Sequence, residues 1–317
     1  MKILITGGAG YIGSILTRTF LHLNYKVTVF DNFFFKQDYV FNDLLINKNF
    51  KLIKGDVRNF NELKKIIKKN DVIIPLAAIV GAPICALLPR IAKQINLNQI
   101  KNIKSCLSKN QLLILPVTNS GYGIGEKNKV YYETSPLNPI SLYGKTKVES
   151  EKIVSDHPNH ICFRLATVFG VSNRMRVDLL VNDFVYKAFK TKKLVLFEQH
   201  FKRNYIHIRD VCGAIVYAIR NIKKFKNNIF NVGLENANLS KLELALKIKK
   251  YVKNLKITQN TIKKDPDKRN YIVSNQKILK TGWRPLYSLD NGIVELLNFY
   301  SNFKLKKDSN NLSFLKK

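Results

Sequence analysis

The chain predicts an α/β fold: a doubly wound parallel sheet with helices on both faces, joined to a smaller α/β unit. Two observations carry this. A glycine series, Gly7, Gly10 and Gly13, follows directly on an apolar run and opens into a helical pattern. Short apolar runs then alternate with helical segments along the first half of the chain, the arrangement that builds a parallel sheet covered on both faces.

Met1 to Gly13 reads as an apolar strand starting at Ile3, a tight glycine turn and a helix start. Backbone amides at a helix N-terminus point outward with partial positive charge, so a pyrophosphate can sit there. Glycines let the backbone approach it without a Cβ in the way. Strand, glycines and helix come in the order of the dinucleotide fingerprint, which puts Gly7, Gly10, Tyr11, Ile12 and Gly13 at a cofactor. A second strand from Tyr25 ends in Asp31, followed by Asn32. A carboxylate there accepts the adenosine ribose hydroxyls and repels a 2′-phosphate, favouring NAD over NADP. The third strand, Phe50 to Lys54, leads to Asp56 and Val57, where Asp56 is expected to meet the adenine. A fourth, from Asp71, ends in Leu76, Ala77 and Ala78, small residues where a cofactor would cross the sheet edge.

With 317 residues the chain can bury a full core. No apolar run reaches membrane-spanning length, and the first strand begins too early for a signal peptide. Cys85, Cys106, Cys162 and Cys212 are scattered, without metal-ligand or disulfide spacing, so no metal is expected and a reducing cytoplasm fits best. The net charge of +32 raises nucleic acid as a partner. Its excess is mostly lysine spread along the whole chain, without an arginine-rich block or a recognition motif. It therefore reads as compositional bias, with no nucleic-acid or membrane partner, and the tail from Phe303 as a solvated end.

The reactive pair lies in the segment Pro139 to Glu151. A helix beginning near Ser141 would put Tyr143 and Lys147, four residues apart, on one face. An ammonium beside a phenol favours phenolate, which lowers the tyrosine pKa toward the range of a useful base.

Thr6 to Gly13 together with Tyr143 and Lys147 resembles the extended short-chain dehydrogenase/reductase family of sugar-nucleotide epimerases and dehydratases. Leu76-Ala77-Ala78, Arg203 to Val211, Phe230 to Gly233 and Gly282 to Pro285 match it as well, so the resemblance covers nearly the whole chain. It implies a Rossmann domain over 1–170, with returning segments near 203–235. Residues 171–202 and 236–317 would mainly bind substrate, and a homodimer would be usual. The tyrosine would shuttle a proton on a sugar hydroxyl while hydride passes to nicotinamide, and the lysine would also hold the nicotinamide ribose. Thr118, ending the fifth strand, falls on the hydroxyl that bonds the reacting sugar oxygen, with Ser120 as the alternative.

Departures from the family narrow the reaction. Dehydratases carry Asp-Glu directly after the threonine; this chain has Asn119-Ser120. Branches that exchange a proton beside a carbonyl place a cysteine where Ser120 stands. What remains is oxidation at a sugar carbon, normally C4, with release of a 4-ketosugar or re-reduction from the other face. The resemblance puts Arg203 on the substrate diphosphate; Arg174 and Arg176, before the apolar helix from Leu179, either join the phosphate site or face solvent. It places Lys264 and Asp267 at an Arg-x-Gly-Asp position that contacts phosphate and ribose, Lys264 replacing the arginine. Thr167 stands at a usual asparagine contact. Several segments, among them Asp178-Leu179-Leu180 and His200 to Tyr205, are similar to the GDP-heptose C4 dehydrogenases within the family. Asp178 offers either two hydrogen-bond acceptors for the guanine edge or a helix cap. His207 reads as a core or interface histidine, His200 as a sugar neighbour at most, and Phe33-Phe34-Phe35 as packing or a partner contact ahead of a lid over adenine.

Overall fold

A computed structural model describes residues 1–126, 128–260, 269–306 and 309–311. Its centre is a seven-stranded parallel sheet. Five strands come from the first half: β1 (Lys2–Thr6), β2 (Lys26–Asp31), β3 (Phe50–Lys54), β4 (Val72–Pro75) and β5 (Leu112–Thr118). Strands His160–Leu165 and Asn228–Val232 complete it, in the order Asn228–Val232, His160–Leu165, β5, β4, β1, β2, β3. Strand order reverses where β4 and β2 flank β1, so a crevice opens at the carboxyl ends of the central strands.

Alternation along the strands builds two cores. Ile3, Ile5, Val27, Val29 and Ile114 join the cluster on one face. Leu4, Phe30, Leu113 and Leu115 join the other. Because both faces are covered, the strands read as continuous apolar runs, and all of β5 is buried. Helix Tyr11–His22 packs beside Ile208–Arg220, while Phe60–Ile67, Gln99–Cys106 and Leu142–Ser155 pack one against the next.

The second half adds a sheet of Thr167–Phe169, Lys202–His207 and Asn238–Ser240, and a parallel pair of Lys193–Leu196 and Lys256–Gln259. Among the described residues no helix is long and apolar enough to cross a membrane.

Two expectations need correction. The fourth strand stops at Pro75; the Leu76 amide still donates to the Thr6 carbonyl at 2.9 Å, and Ala77 and Ala78 leave the sheet. Side chains hold that backbone instead: Thr6 Oγ1 accepts from the Ala77 amide at 3.4 Å, and the Gln99 amide donates to the Ala77 carbonyl. The tail is not simply solvated either. The Val177 amide donates to the Ser309 carbonyl at 2.8 Å, and Ser309 and Asn311 are buried. Lys306 places its ammonium 3.3 Å from the centre of the Tyr39 ring. Deleting residues 304–317 is expected to cost about 1–3 kcal/mol, the net worth of a few hydrogen bonds, read as a lower denaturant midpoint. An unchanged midpoint would show the tail contacts to be idle.

Candidate active site

The glycine turn is built for close approach. Gly7 sits at φ +67°, and a Cβ there would stand 2.4 Å from the Ala77 nitrogen. Helix Tyr11–His22 starts at Gly10 with no side-chain cap and no acid in its first turn. Its end therefore remains an anion site. These residues line one wall of a cavity of about 440 Å³, together with Asp31, Asn32, Val57, Leu76, Ala77 and Ala78. Burial raises the pKa of Asp31, against the pull of its bonds from the Phe33 and Ala9 amides (2.8 and 3.0 Å) and of the Arg174 charge. An uncapped helix start beside a buried carboxylate fits the pyrophosphate and ribose of a dinucleotide. Tyr11 anchors the turn by donating from its hydroxyl to the Gly170 carbonyl at 2.7 Å.

Asp56 departs from expectation. Gly55 and Val57 line the cavity, whereas the Asp56 carboxylate is held by the Arg58 guanidinium at 2.7 and 2.9 Å and by Asn32 at 3.1 Å. The bond to Arg58 above all lowers its pKa to about 2.

At the reaction end, Ser141 caps helix Leu142–Ser155 by accepting from the Gly144 amide at 3.1 Å. Tyr143 and Lys147 then line the cavity with Thr118, the last residue of β5. Farther along, Glu151 pins this helix to the sheet by a buried two-pronged bond from Arg164, at 2.7 and 2.9 Å. Lys147 donates to the Pro116 carbonyl at 3.2 Å, and burial lowers its pKa to about 8.

The Tyr143 pKa moves opposite to the expected direction. Burial raises it to about 12 and the nearby Cys85 adds to the rise. The groups that pull it down are Arg269, Arg176 and a hydrogen bond with Thr118, rather than Lys147. Behind Thr118, Asn119 and Ser120 are buried and stand outside the cavity lining. The Ser120 amide donates to Thr118 Oγ1 at 3.1 Å, the two hydroxyls lie 2.9 Å apart, and Arg269 donates to Ser120 Oγ at 2.8 Å.

Arg174, Arg176, Arg203 and Arg269 bring four guanidinium groups to the same cavity, with Leu179 and Thr167. Arg174, expected at the substrate, instead lies 4.8 Å from the centre of the Phe35 ring and acts on Asp31, which puts it at the cofactor end. Asp178 lines the cavity, but Arg176 occupies both of its oxygens, at 2.5 and 3.2 Å. Burial opposes ionisation of Asp178, yet Arg176 outweighs it and holds the pKa low. A carboxylate spent on that pair is not a bare guanine reader. Nor is it the helix cap, since Leu179 precedes helix Leu180–Thr191 without a side-chain bond. Asp267 and Lys264 lie outside the described residues.

His207 is fully buried and bonded to Glu295 at 2.7 Å. His200 lies against Phe201 and outside the cavity lining. Phe34 and Phe35 line the cavity, as a lid over the cofactor would. Sequence reasoning missed Arg269 as a neighbour of the Thr118 and Ser120 hydroxyls; 149 positions separate it from Ser120, and no local pattern joins them. Among the described residues no group of three or more His, Cys, Asp or Glu side chains could hold a metal ion.

Comparison with known proteins agrees with this geometry. The NAD dependent epimerase/dehydratase family matches residues 3–233. CDP-paratose 2-epimerase of Salmonella typhi is 27% identical over 339 residues, covering 95% of this chain and 100% of that protein. UDP-glucose 4-epimerase of Lactobacillus helveticus is 26% identical, covering 78% of this chain and 82% of its own. Among solved structures, UDP-glucuronic acid 4-epimerase from Bacillus cereus, in complex with UDP-glucuronic acid and NAD, superimposes with a TM-score of 0.83. It is 25% identical and covers 95% of this chain and 99% of its own. This chain belongs to the NAD dependent epimerase/dehydratase family.

Proposed function

We propose that the protein oxidises C4 of a nucleotide-diphosphate sugar, with Tyr143 as base, Lys147 and Thr118 as its partners, and GDP-heptose as the first substrate to try. The observation that supports this best is the single cavity, in which Tyr143, Lys147 and Thr118 stand with the uncapped glycine turn and the four guanidinium groups. NAD, when bound, supplies the hydride acceptor. Tyr143 takes the proton of the sugar hydroxyl, Thr118 orients that oxygen, and Arg203 grips the diphosphate, a planar fork suited to two phosphate oxygens. The absence of a carboxylate after Thr118 argues against dehydration. Residues 1–170 and 203–235 would mainly carry the cofactor, 171–202 and 236–317 mainly the sugar nucleotide, with the protein working as a homodimer.

GDP rests on the likeness of a few segments, with Asp178 already accepting two hydrogen bonds from Arg176. A second reading, C4 epimerisation of a UDP-sugar, is favoured by the similarity to two 4-epimerases. It uses the same residues, with the ketosugar turned over and reduced again.

Thermal shifts with NAD, NADP, GDP, UDP and CDP, singly and paired, separate these. A ligand at a hundred times its dissociation constant adds about 2.7 kcal/mol of stability. Stabilisation by NAD and further by GDP is the expected result. A UDP preference selects the epimerase reading, and no response to any nucleotide diphosphate refutes both.

A further inference from the structure

We propose that Arg269 and Ser120 form a hydrogen-bonded relay that fixes Thr118 as a donor toward Tyr143, which makes both of them positioning residues for the proton transfer. The proposal rests on the reading of Tyr143 as the base.

A guanidinium has five donors and no acceptor, whereas a hydroxyl has one donor and two acceptor sites. Arg269 Nη1 stands 2.8 Å from Ser120 Oγ, so Ser120 must accept there. The Ser120 proton then has Thr118 Oγ1, 2.9 Å away, as its acceptor. Thr118 Oγ1 already accepts from the Ser120 amide at 3.1 Å. With both acceptor sites filled, its own proton points outward, to Tyr143 or to the sugar oxygen beside it. If Thr118 instead donated back to Ser120, the Ser120 proton would lose this acceptor, and a Tyr143 phenolate would lose its donor. All groups are satisfied together when the array runs Arg269, Ser120, Thr118, Tyr143, with the last as phenolate.

This matters because little else in the pocket favours ionisation of Tyr143. Burial and Cys85, on the segment Ala82–Leu87, oppose it, while Arg176 and Arg269 favour it from outside the Tyr143 helix. Lys147, on the same helix, spends one donor on the Pro116 carbonyl. Thr118 and Ser120 are themselves 7% and 4% exposed, so water competes poorly for their protons. In the reaction the sugar O–H bond breaks and its proton ends on Tyr143 Oη. The protons of Ser120 and Thr118 stay on their own oxygens and only hold or turn their direction.

The test is an ultraviolet difference titration of the NAD-loaded protein, wild type minus Tyr143→Phe, which isolates this phenol and needs no sugar substrate. Ser120→Ala and Arg269→Met, each referenced to its own Tyr143→Phe partner, should raise the ionisation midpoint by roughly one pH unit. Arg269→Lys, which keeps a donor, should restore most of the shift. With an accepted nucleotide sugar, kcat near neutrality should fall about tenfold and recover as pH rises, with KM little changed. A merely structural role would lower kcat equally at every pH. A Tyr143 midpoint that neither variant moves, or that is absent in the wild type at every pH where the fold persists, overturns the proposal. A shifted midpoint without turnover of any nucleotide sugar would uphold the relay while refuting the assigned reaction.

Discussion

Replacing Tyr143 by Phe is expected to lower turnover about 10²- to 10⁴-fold, the usual worth of a positioned acid–base group, while NAD affinity stays within about twofold by thermal shift. The asymmetry follows from the site. In the proposed function Tyr143 meets the sugar, whereas the Gly7–Gly13 turn and Asp31, which line the same cavity, take the dinucleotide. Only the phenolic oxygen is removed, so the ring still fills its space against the cluster that includes Ile79, Ile84 and Ile95. Retained turnover would mean that another group abstracts the proton. Loss of NAD binding as well would mean that Tyr143 chiefly serves the cofactor.

Lys147→Met should separate stability from activity. The folded pKa of Lys147 is about 8, depressed by burial from an ordinary value near 10.5. A base with a depressed pKa binds its proton less tightly in the folded state. Its cost is therefore fully present below pH 8, shrinks as pH rises toward about 10.5, and is gone above that. At pH 7 the cost is on the order of 3 kcal/mol. Because Met fills nearly the same space without a charge, the ligand-free variant should be more stable at pH 7 by about 2–3 kcal/mol and lose that advantage near pH 10. Turnover should fall by about 10² or more, since the proposed function has Lys147 hold the nicotinamide ribose in place beside the reacting carbon. Denaturant midpoints at the two pH values check this. Equal stability of wild type and variant at pH 7 would show that the buried ammonium is not destabilising. Such a cost is expected where a charge is kept for function in a poorly solvated place.

Much of the site was legible because its signals are local. The Gly7, Gly10, Gly13 spacing specifies a tight turn, and the structure packs Gly7 against Ala77 and Gly13 against Gly8 with no room for a Cβ at either. Ser141 marks the helix start, and the four-residue step from Tyr143 to Lys147 needs only helical geometry. What could not be read depends on burial and on distant partners. Asp178 looked like a free acceptor until Arg176, two residues away, folded back on it. Asp56 was drawn off by Arg58 in the same way. Arg174 crossed to the cofactor end because the loop after Phe169 carries it over Phe35. The pKa of Tyr143 rose because desolvation, which no spacing reveals, outweighs the neighbouring charges. The tail was misread for a related reason: its lysines suggested solvent, but the Ser309 carbonyl accepts from the Val177 amide and Asn311 is buried.

The most direct test of the central claim is a single turnover of the NAD-loaded enzyme on nucleotide sugars deuterated at C4 or at C2, followed by the near-ultraviolet absorbance of NADH. Oxidation at C4 predicts that NADH forms and that deuterium at C4 alone slows its appearance. Slowing by deuterium at C2 instead, or no NADH from any nucleotide sugar, would contradict it.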